Sequence, residues 1–198
     1  MNYLAHALLS GNDTMLLTGN MIADFVKGRK PLALLPEGIA RGIMLHRFID
    51  AYTDTHPAAL RAAVFFRPAY GLYSHAILDV LFDHFLANDP AYFPSVEALA
   101  AFSRDVYATL NGQQQFFPER FARMFPYMQQ HNWLLAYRQM GNMRKTLNGL
   151  RHRATHMPDT EHAFELFAGH YYQLNQAYLE LMEGLVKAVK IELTALRP

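Results

Sequence analysis

The chain has 198 residues, with 18 Lys and Arg against 17 Asp and Glu, 10 His, no Cys, 52% hydrophobic and 13% aromatic residues, and a formal net charge of +1. That size suits one domain with its own core, and so many aromatics exclude a disordered chain. The lack of Cys excludes a disulfide framework, a cysteine nucleophile and a thiolate metal site, so any metal must be held by nitrogen and oxygen.

The apolar pattern has helical period nearly throughout. Leu45, Phe48, Ile49 and Tyr52 fall at i, i+3, i+4 and i+7, as do Leu78, Leu81, Phe82 and Phe85, whereas strict two-residue alternation is hard to find. Helices are predicted over 2–9, 14–27, 36–54, 57–66, 70–87, 94–110, 117–130, 132–153 and 159–193. Asn12-Asp13-Thr14 reads as an N-terminal cap, and the prolines at 31, 36, 57, 68, 90, 94, 118, 126 and 158 read as joints. With no repeat and no linker, the expectation is an all-α fold, a single compact helical domain over 1–198. No run longer than 14 residues lacks Asp, Glu, Lys and Arg, which argues against a membrane-spanning helix. Asp13 precedes the first basic side chain, Lys27, so the start does not read as a signal peptide. A cytoplasmic location follows as the default expectation.

The near-neutral total hides segregation. Segments 1–67, 68–119, 120–158 and 159–198 carry +2, −5, +7 and −3, and the third holds no acidic residue at all. Familiar catalytic motifs are missing. There is no G-x-x-x-x-G-K, G-x-G-x-x-G or G-x-S-x-G, no H-E-x-x-H, and no Glu-x-x-His of the di-iron bundles.

What remains is a set of Asp and His on apolar helices. His46 and Asp50 stand four apart, as do His75 and Asp79, Asp79 and Asp83, and Asn20 and Asp24. Such pairs are either ion pairs and satisfied core histidines, or ligands. Asp79 and Asp83 weigh toward ligands, because like charges at this spacing repel and no Lys or Arg lies between Arg67 and Arg104. Partly buried carboxylates need a partner or a proton, and a divalent cation would serve. That reading points to metal-assisted hydrolysis of a phosphate ester, with Lys27, Arg29, Arg41 and Arg47 as nearby groups for the phosphate.

The blocks Met1-Asn2-Tyr3-Leu4-Ala5-His6, Gly19-Asn20-Met21-Ile22-Ala23-Asp24-Phe25-Val26-Lys27-Gly28, Gly42-Ile43-Met44-Leu45-His46-Arg47-Phe48-Ile49-Asp50 and Asp79-Val80-Leu81-Phe82-Asp83-His84 resemble acyl carrier protein phosphodiesterases in order and spacing. The resemblance implies a bundle related to the HD-domain phosphohydrolases. It also implies hydrolysis of the phosphodiester joining 4′-phosphopantetheine to a carrier-protein serine, with Mn²⁺ the expected ion and Mg²⁺ or Fe²⁺ as substitutes. On it, His46, Asp50, Asp79 and Asp83 become the expected metal set and Asp24, His6 and His84 the expected catalytic groups; of the nearby basic residues, Lys27 and Arg47 are the expected phosphate-binding groups. The adjacent pair here is Asp83-His84 where an HD protein has His-Asp, which leaves the division between ligands and supporting groups open.

An acidic carrier protein would also give the basic stretch a purpose. Arg138, Arg144, Lys145, Arg151 and Arg153 are the expected docking groups, steering association with the acidic partner; the other reading is a solvated face. No DNA- or RNA-binding motif is present, so neither nucleic acid nor a membrane is an expected partner. The alternative function is an HD-like phosphohydrolase acting on a nucleotide or another small phosphoester.

Overall fold

A computed structural model describes residues 1–28, 30–154 and 156–195, apart from the side chains of Lys30, His152 and Arg153. Among these residues there are twelve α-helices and no strand. They are α1 (Tyr3–Leu9), α2 (Thr14–Ile22), α3 (Glu37–Thr55), α4 (Pro57–Ala63), α5 (Arg67–Tyr70), α6 (Tyr73–Ala87), α7 (Val96–Asn111), α8 (Glu119–Gln130), α9 (Trp133–Ala136), α10 (Met140–Arg153), α11 (Glu161–Gly169) and α12 (Tyr171–Ala195). None is long and apolar enough to cross a membrane.

Three predicted helices are broken. The helix expected over 70–87 loses its first turn: Tyr70 ends the separate short α5, Gly71 takes φ +52, ψ −122, and α6 starts only at Tyr73. The helix expected over 132–153 is divided at Gln139, whose backbone is extended, and that expected over 159–193 is divided at His170. Beyond Ile22 the chain tightens into a 3₁₀ turn over Ala23–Phe25 instead of continuing to 27. Pro126, expected at a joint, lies inside α8, whose apolar stripe Phe121, Phe125 and Met128 is buried and carries the helix past the missing N–H.

α6 is the axis of the core. Ile77, Leu78 and every residue from Val80 to Ala87 are buried, so it is apolar on almost every side and packs against α1, α4, α5, α10 and α12. α12 lies across α3, α4 and α6 through Leu174, Tyr178, Leu181 and Leu185. Burying side chains of this size contributes roughly 1.5–3 kcal/mol each. α2 and α3 make the closest pairing in the fold, and α1 lies across α2 and α6. The candidate site sits where α1, α2 and α3 converge.

Candidate functional site

The α2–α3 pairing depends on two glycines. A Cβ on Gly19 would stand 2.0 Å from the Ile39 carbonyl oxygen, and one on Gly42 would stand 2.2 Å from that of Leu16. Only a residue without a side chain lets the two backbones approach so closely. The approach brings the carbonyl of Asn20 to 2.8 Å from His46 Nδ1. The Asn20 side chain, fully buried, turns the other way. Its Oδ1 lies 2.8 Å from His6 Nδ1, while its Nδ2 donates to the His6 carbonyl and to Ser10 Oγ, each at 2.9 Å. One residue therefore orients imidazoles from α1 and α3.

Both partners of the Nδ1 atoms are acceptors only, so Nδ1 carries a hydrogen in each ring, and Nε2 presents a lone pair wherever the ring is neutral. The two Nε2 atoms converge on one carboxylate: His6 Nε2 is 3.2 Å from Asp50 Oδ1, and His46 Nε2 is 3.1 Å from Asp50 Oδ2 and 3.2 Å from Asp24 Oδ1. The rings stack at 3.9 Å between centroids with 14° between planes. Two imidazolium ions so close would repel, and the pair divides its protonation accordingly. Burial, and then the charge of His46, push His6 down to about 4. For His46, burial is outweighed by hydrogen bonds to Asp24 and Asp50, which raise it to about 9. Burial would raise Asp50, yet the hydrogen bonds and charges of the two histidines hold it far below the usual carboxylate range.

A neutral His6 thus points a lone pair at a carboxylate oxygen and at the Met1 carbonyl, which is also 3.2 Å away. Acceptors facing acceptors in a buried place call for a cation. The Nε2 atoms of His6 and His46 and an oxygen of Asp50 lie within 4.8 Å of one another, and each ring's other nitrogen is held by a carbonyl, the arrangement ligating histidines adopt. Two imidazoles and a carboxylate suit Mn, Fe, Ni or Zn. The cluster opens into a cavity of about 340 Å³, whose wall also holds Asp24, Asp79, Phe25 and Arg120.

The residues expected from the sequence fall into three groups. His6, Asp24, His46 and Asp50 come together. Asp79 lines the same cavity, but its Oδ1 is 2.5 Å from the buried amino group of Met1. Burial raises its carboxyl to about 6 against that charge. Asp83 lies outside the cluster. Its Oδ2 accepts from Leu4 N–H at 2.7 Å and its Oδ1 from the N–H groups of Asn2 and Ala5 at 3.2 Å, so it caps α1 from α6. Burial nevertheless pushes it up to about 7. His84 faces away, with Nδ1 2.7 Å from the Tyr137 carbonyl and Nε2 3.0 Å from the Tyr171 hydroxyl. His75 pairs with Asp54 at 3.1 Å.

Arg47 spends its guanidinium on the carbonyls of Val26 and Gly28, both at 2.9 Å, tying the segment after Asp24 to α3. Lys27 is exposed and, like Arg47, is not part of the cavity wall; Arg29 lies outside the described residues. Of the expected docking groups, Arg144 pairs with Glu161 at 2.8 Å and lies over Phe164, and Arg151 pairs with Asp159 at 3.0 Å. Arg138 donates to the Ala87 carbonyl at 2.9 Å, Lys145 is exposed, and the side chain of Arg153 lies outside the described residues. Two participants were not singled out from the sequence: Asn20 as the common orienter, and Arg120 as the cation in the cavity wall. Asn20 stood out only as a neighbour of Asp24, and Arg120 only as one of seven basic residues in its segment.

The acyl carrier protein phosphodiesterase family model matches residues 1–185. Acyl carrier protein phosphodiesterases with which the chain can be aligned include that of Enterobacter sp. (strain 638), 30% identical over 96% of this chain and 98% of the relative. That of Yersinia pestis is 32% identical over 94% and 96%, and that of Photorhabdus laumondii is 29% identical over 92% and 94%. No solved structure matches. With residues 1–185 matched by the family model and nearly its whole length covered by such relatives, the chain belongs to the acyl carrier protein phosphodiesterase family.

Proposed function

We propose that the protein hydrolyses the phosphodiester between 4′-phosphopantetheine and a serine of acyl carrier protein, releasing apo carrier protein and free 4′-phosphopantetheine. The observation that carries this reading is the convergence of His6 Nε2, His46 Nε2 and Asp50 at the floor of an open cavity, with a basic side chain in its wall, in a chain of this family. His6, His46 and Asp50 would hold a divalent cation that accepts imidazole and carboxylate together, with Mn²⁺, the ion the family resemblance implies, the first to test. When bound, such an ion supplies Lewis-acid polarisation of the phosphoryl oxygen and lowers the pKa of water.

The chain's own residues prepare the rest. Asn20 sets both ring orientations. Asp24, with its side chain 61% exposed at the cavity mouth and one oxygen on His46, has its second oxygen left to orient the attacking water and receive its proton. Attack of the water oxygen at phosphorus breaks the bond to the serine oxygen, which leaves with a proton taken from solvent, while the proton held by Asp24 returns to solvent. Asp79 and Asp83 act earlier in the chain of causes: they fix the Met1 end and the first turn of α1, and with them the position of His6. His84 holds the Tyr137 carbonyl and so fixes the short helix α9. Arg120 and Lys145, which form no ion pair among the described residues, would steer an acidic carrier protein, the ion pairs of Arg144 and Arg151 being exposed and of small energetic weight.

Intact mass spectrometry of holo acyl carrier protein incubated with the protein and Mn²⁺ tests the reading. Loss of the phosphopantetheine mass, prevented by a chelator, is expected. An unchanged carrier protein together with turnover of a nucleotide or another small phosphoester would overturn it.

A further inference from the structure

A second and larger cavity, of about 730 Å³, adjoins the first and shares two residues of its wall, Phe25 and Arg120. Its volume falls within the roughly 300–1,000 Å³ typical of small-molecule sites. The remaining wall comes from α8, α9 and α10, with Met124 and Trp133 on the apolar side and Asn142 among its polar groups. Arg120 has no carboxylate partner among the described residues; its guanidinium stands 6.0 Å from the Phe25 ring centroid. A cation that belongs to both cavities, and among the described residues is spent on neither an acid nor a carbonyl, stands where a ligand would pass from one to the other.

We propose that this second cavity receives the pantetheine arm, with Arg120 holding the phosphodiester at the junction so that its phosphorus faces the His6–His46–Asp50 cluster. The proposal rests on the carrier-protein reading above. The arm's chemistry matches the groups in the wall. A phosphate comes first and meets a guanidinium, whose planar fork suits phosphate oxygens. A branched dimethyl segment comes next, for which Phe25, Met124 and Trp133 offer apolar and aromatic surface. Amide groups follow, for which Asn142 offers hydrogen bonds. Arg120 is thereby the phosphate-positioning residue in place of Lys27 and Arg47, neither of which lines either cavity.

Two features make the proposal testable without turnover. Trp133 is the chain's only tryptophan and lines this cavity, so its fluorescence reports binding there. Gly149 lines the cavity, and a Cβ built on it meets no atom within 4 Å, so Gly149→Phe would fill the space without disturbing the packing of α10.

Free 4′-phosphopantetheine, pantetheine and inorganic phosphate are titrated separately into chelator-treated protein, followed by Trp133 emission and by calorimetry. The expected result is saturable binding of phosphopantetheine, weaker binding of pantetheine, and no emission change with phosphate. Arg120→Met should weaken phosphopantetheine binding more than tenfold and leave pantetheine binding unchanged. Gly149→Phe should abolish both, and should lower kcat/KM on holo carrier protein more than tenfold while keeping the wild-type melting temperature and metal content. Absence of binding by both techniques, or a Gly149→Phe protein that cleaves holo carrier protein as the wild type does, would overturn the proposal while leaving the carrier-protein reading in place. A wild-type protein that releases no phosphopantetheine would overturn that reading and the arm assignment with it.

Discussion

Replacing Asp83 with Ala separates a capping role from a ligating one. In the native fold this carboxylate receives three backbone N–H groups at the start of α1, those of Leu4 and Ala5 through buried hydrogen bonds. Each buried N–H left without a partner costs roughly 1–3 kcal/mol, so the two buried ones together cost about 4 kcal/mol. For a domain of this size, at roughly 2–4 °C per kcal/mol, the melting temperature should fall by about 10 °C. The loss should also depend on pH. Burial raises the Asp83 carboxyl to about 7, above its value of about 4 in an unfolded chain, so the native state binds the extra proton between these limits. The stability contributed by this group therefore grows as pH falls from 7 toward 4 and is lost as pH rises through 7, by up to about 1.4 kcal/mol per pH unit. Urea unfolding of both proteins at pH 5.5 and pH 8 measures this, with the larger deficit expected at pH 5.5. At a temperature where the variant is folded, it should retain stoichiometric metal and turnover within tenfold of the wild type. An Asp83→Ala protein with an unchanged unfolding midpoint and no bound metal would refute the capping role and return Asp83 to the ligand set.

Asn20→Ala removes the acceptor that holds His6 Nδ1 and should weaken Mn²⁺ binding about 10–100-fold, as calorimetry would show. Gly42→Ala drives a methyl group to 2.2 Å from the Leu16 carbonyl and should cost about 3 kcal/mol by urea unfolding, with loss of metal affinity as α2 and α3 separate. In metal-free protein His46 titrates near 9 against about 6.5 unfolded, so its contribution is full below pH 6.5 and lost as pH rises through 9. Stability should fall by about 3 kcal/mol across that interval, and a His46→Gln protein should lack this component of the alkaline slope.

Local periodicity carried most of the fold. The stripes through Leu45–Tyr52 and Leu78–Phe85 place α3 and α6 because helical spacing and burial are written in neighbouring residues. The breaks at Gly71, Gln139 and His170 were hidden because an apolar period continues across them. At the site, Asp24, His46 and Asp50 were legible from residue type and spacing, and His6 through the family resemblance alone. The partner of Asp79 was not, since it is the amino group of Met1, and that of Asp83 was not, since backbone N–H groups leave no mark in a side-chain pattern. The uncompensated acidic pair on α6 was a real signal whose answer lay in α1. Similarly, the acid-free segment 120–158 hid the fact that Glu161 and Asp159 fold back onto Arg144 and Arg151. Asn20 was visible only as the i, i+4 neighbour of Asp24, and its bond to both histidines depends on a helix crossing that only the tertiary structure supplies.

The central claim is that His6, His46 and Asp50 hold the catalytic cation, and Mn²⁺ binding followed by electron paramagnetic resonance on chelator-treated protein tests it most directly. Stoichiometric binding by the wild type is predicted, lost in Asp50→Ala and retained in Asp83→Ala. Equal Mn²⁺ binding by wild type and Asp50→Ala, or binding lost only when Asp83 is replaced, would contradict it.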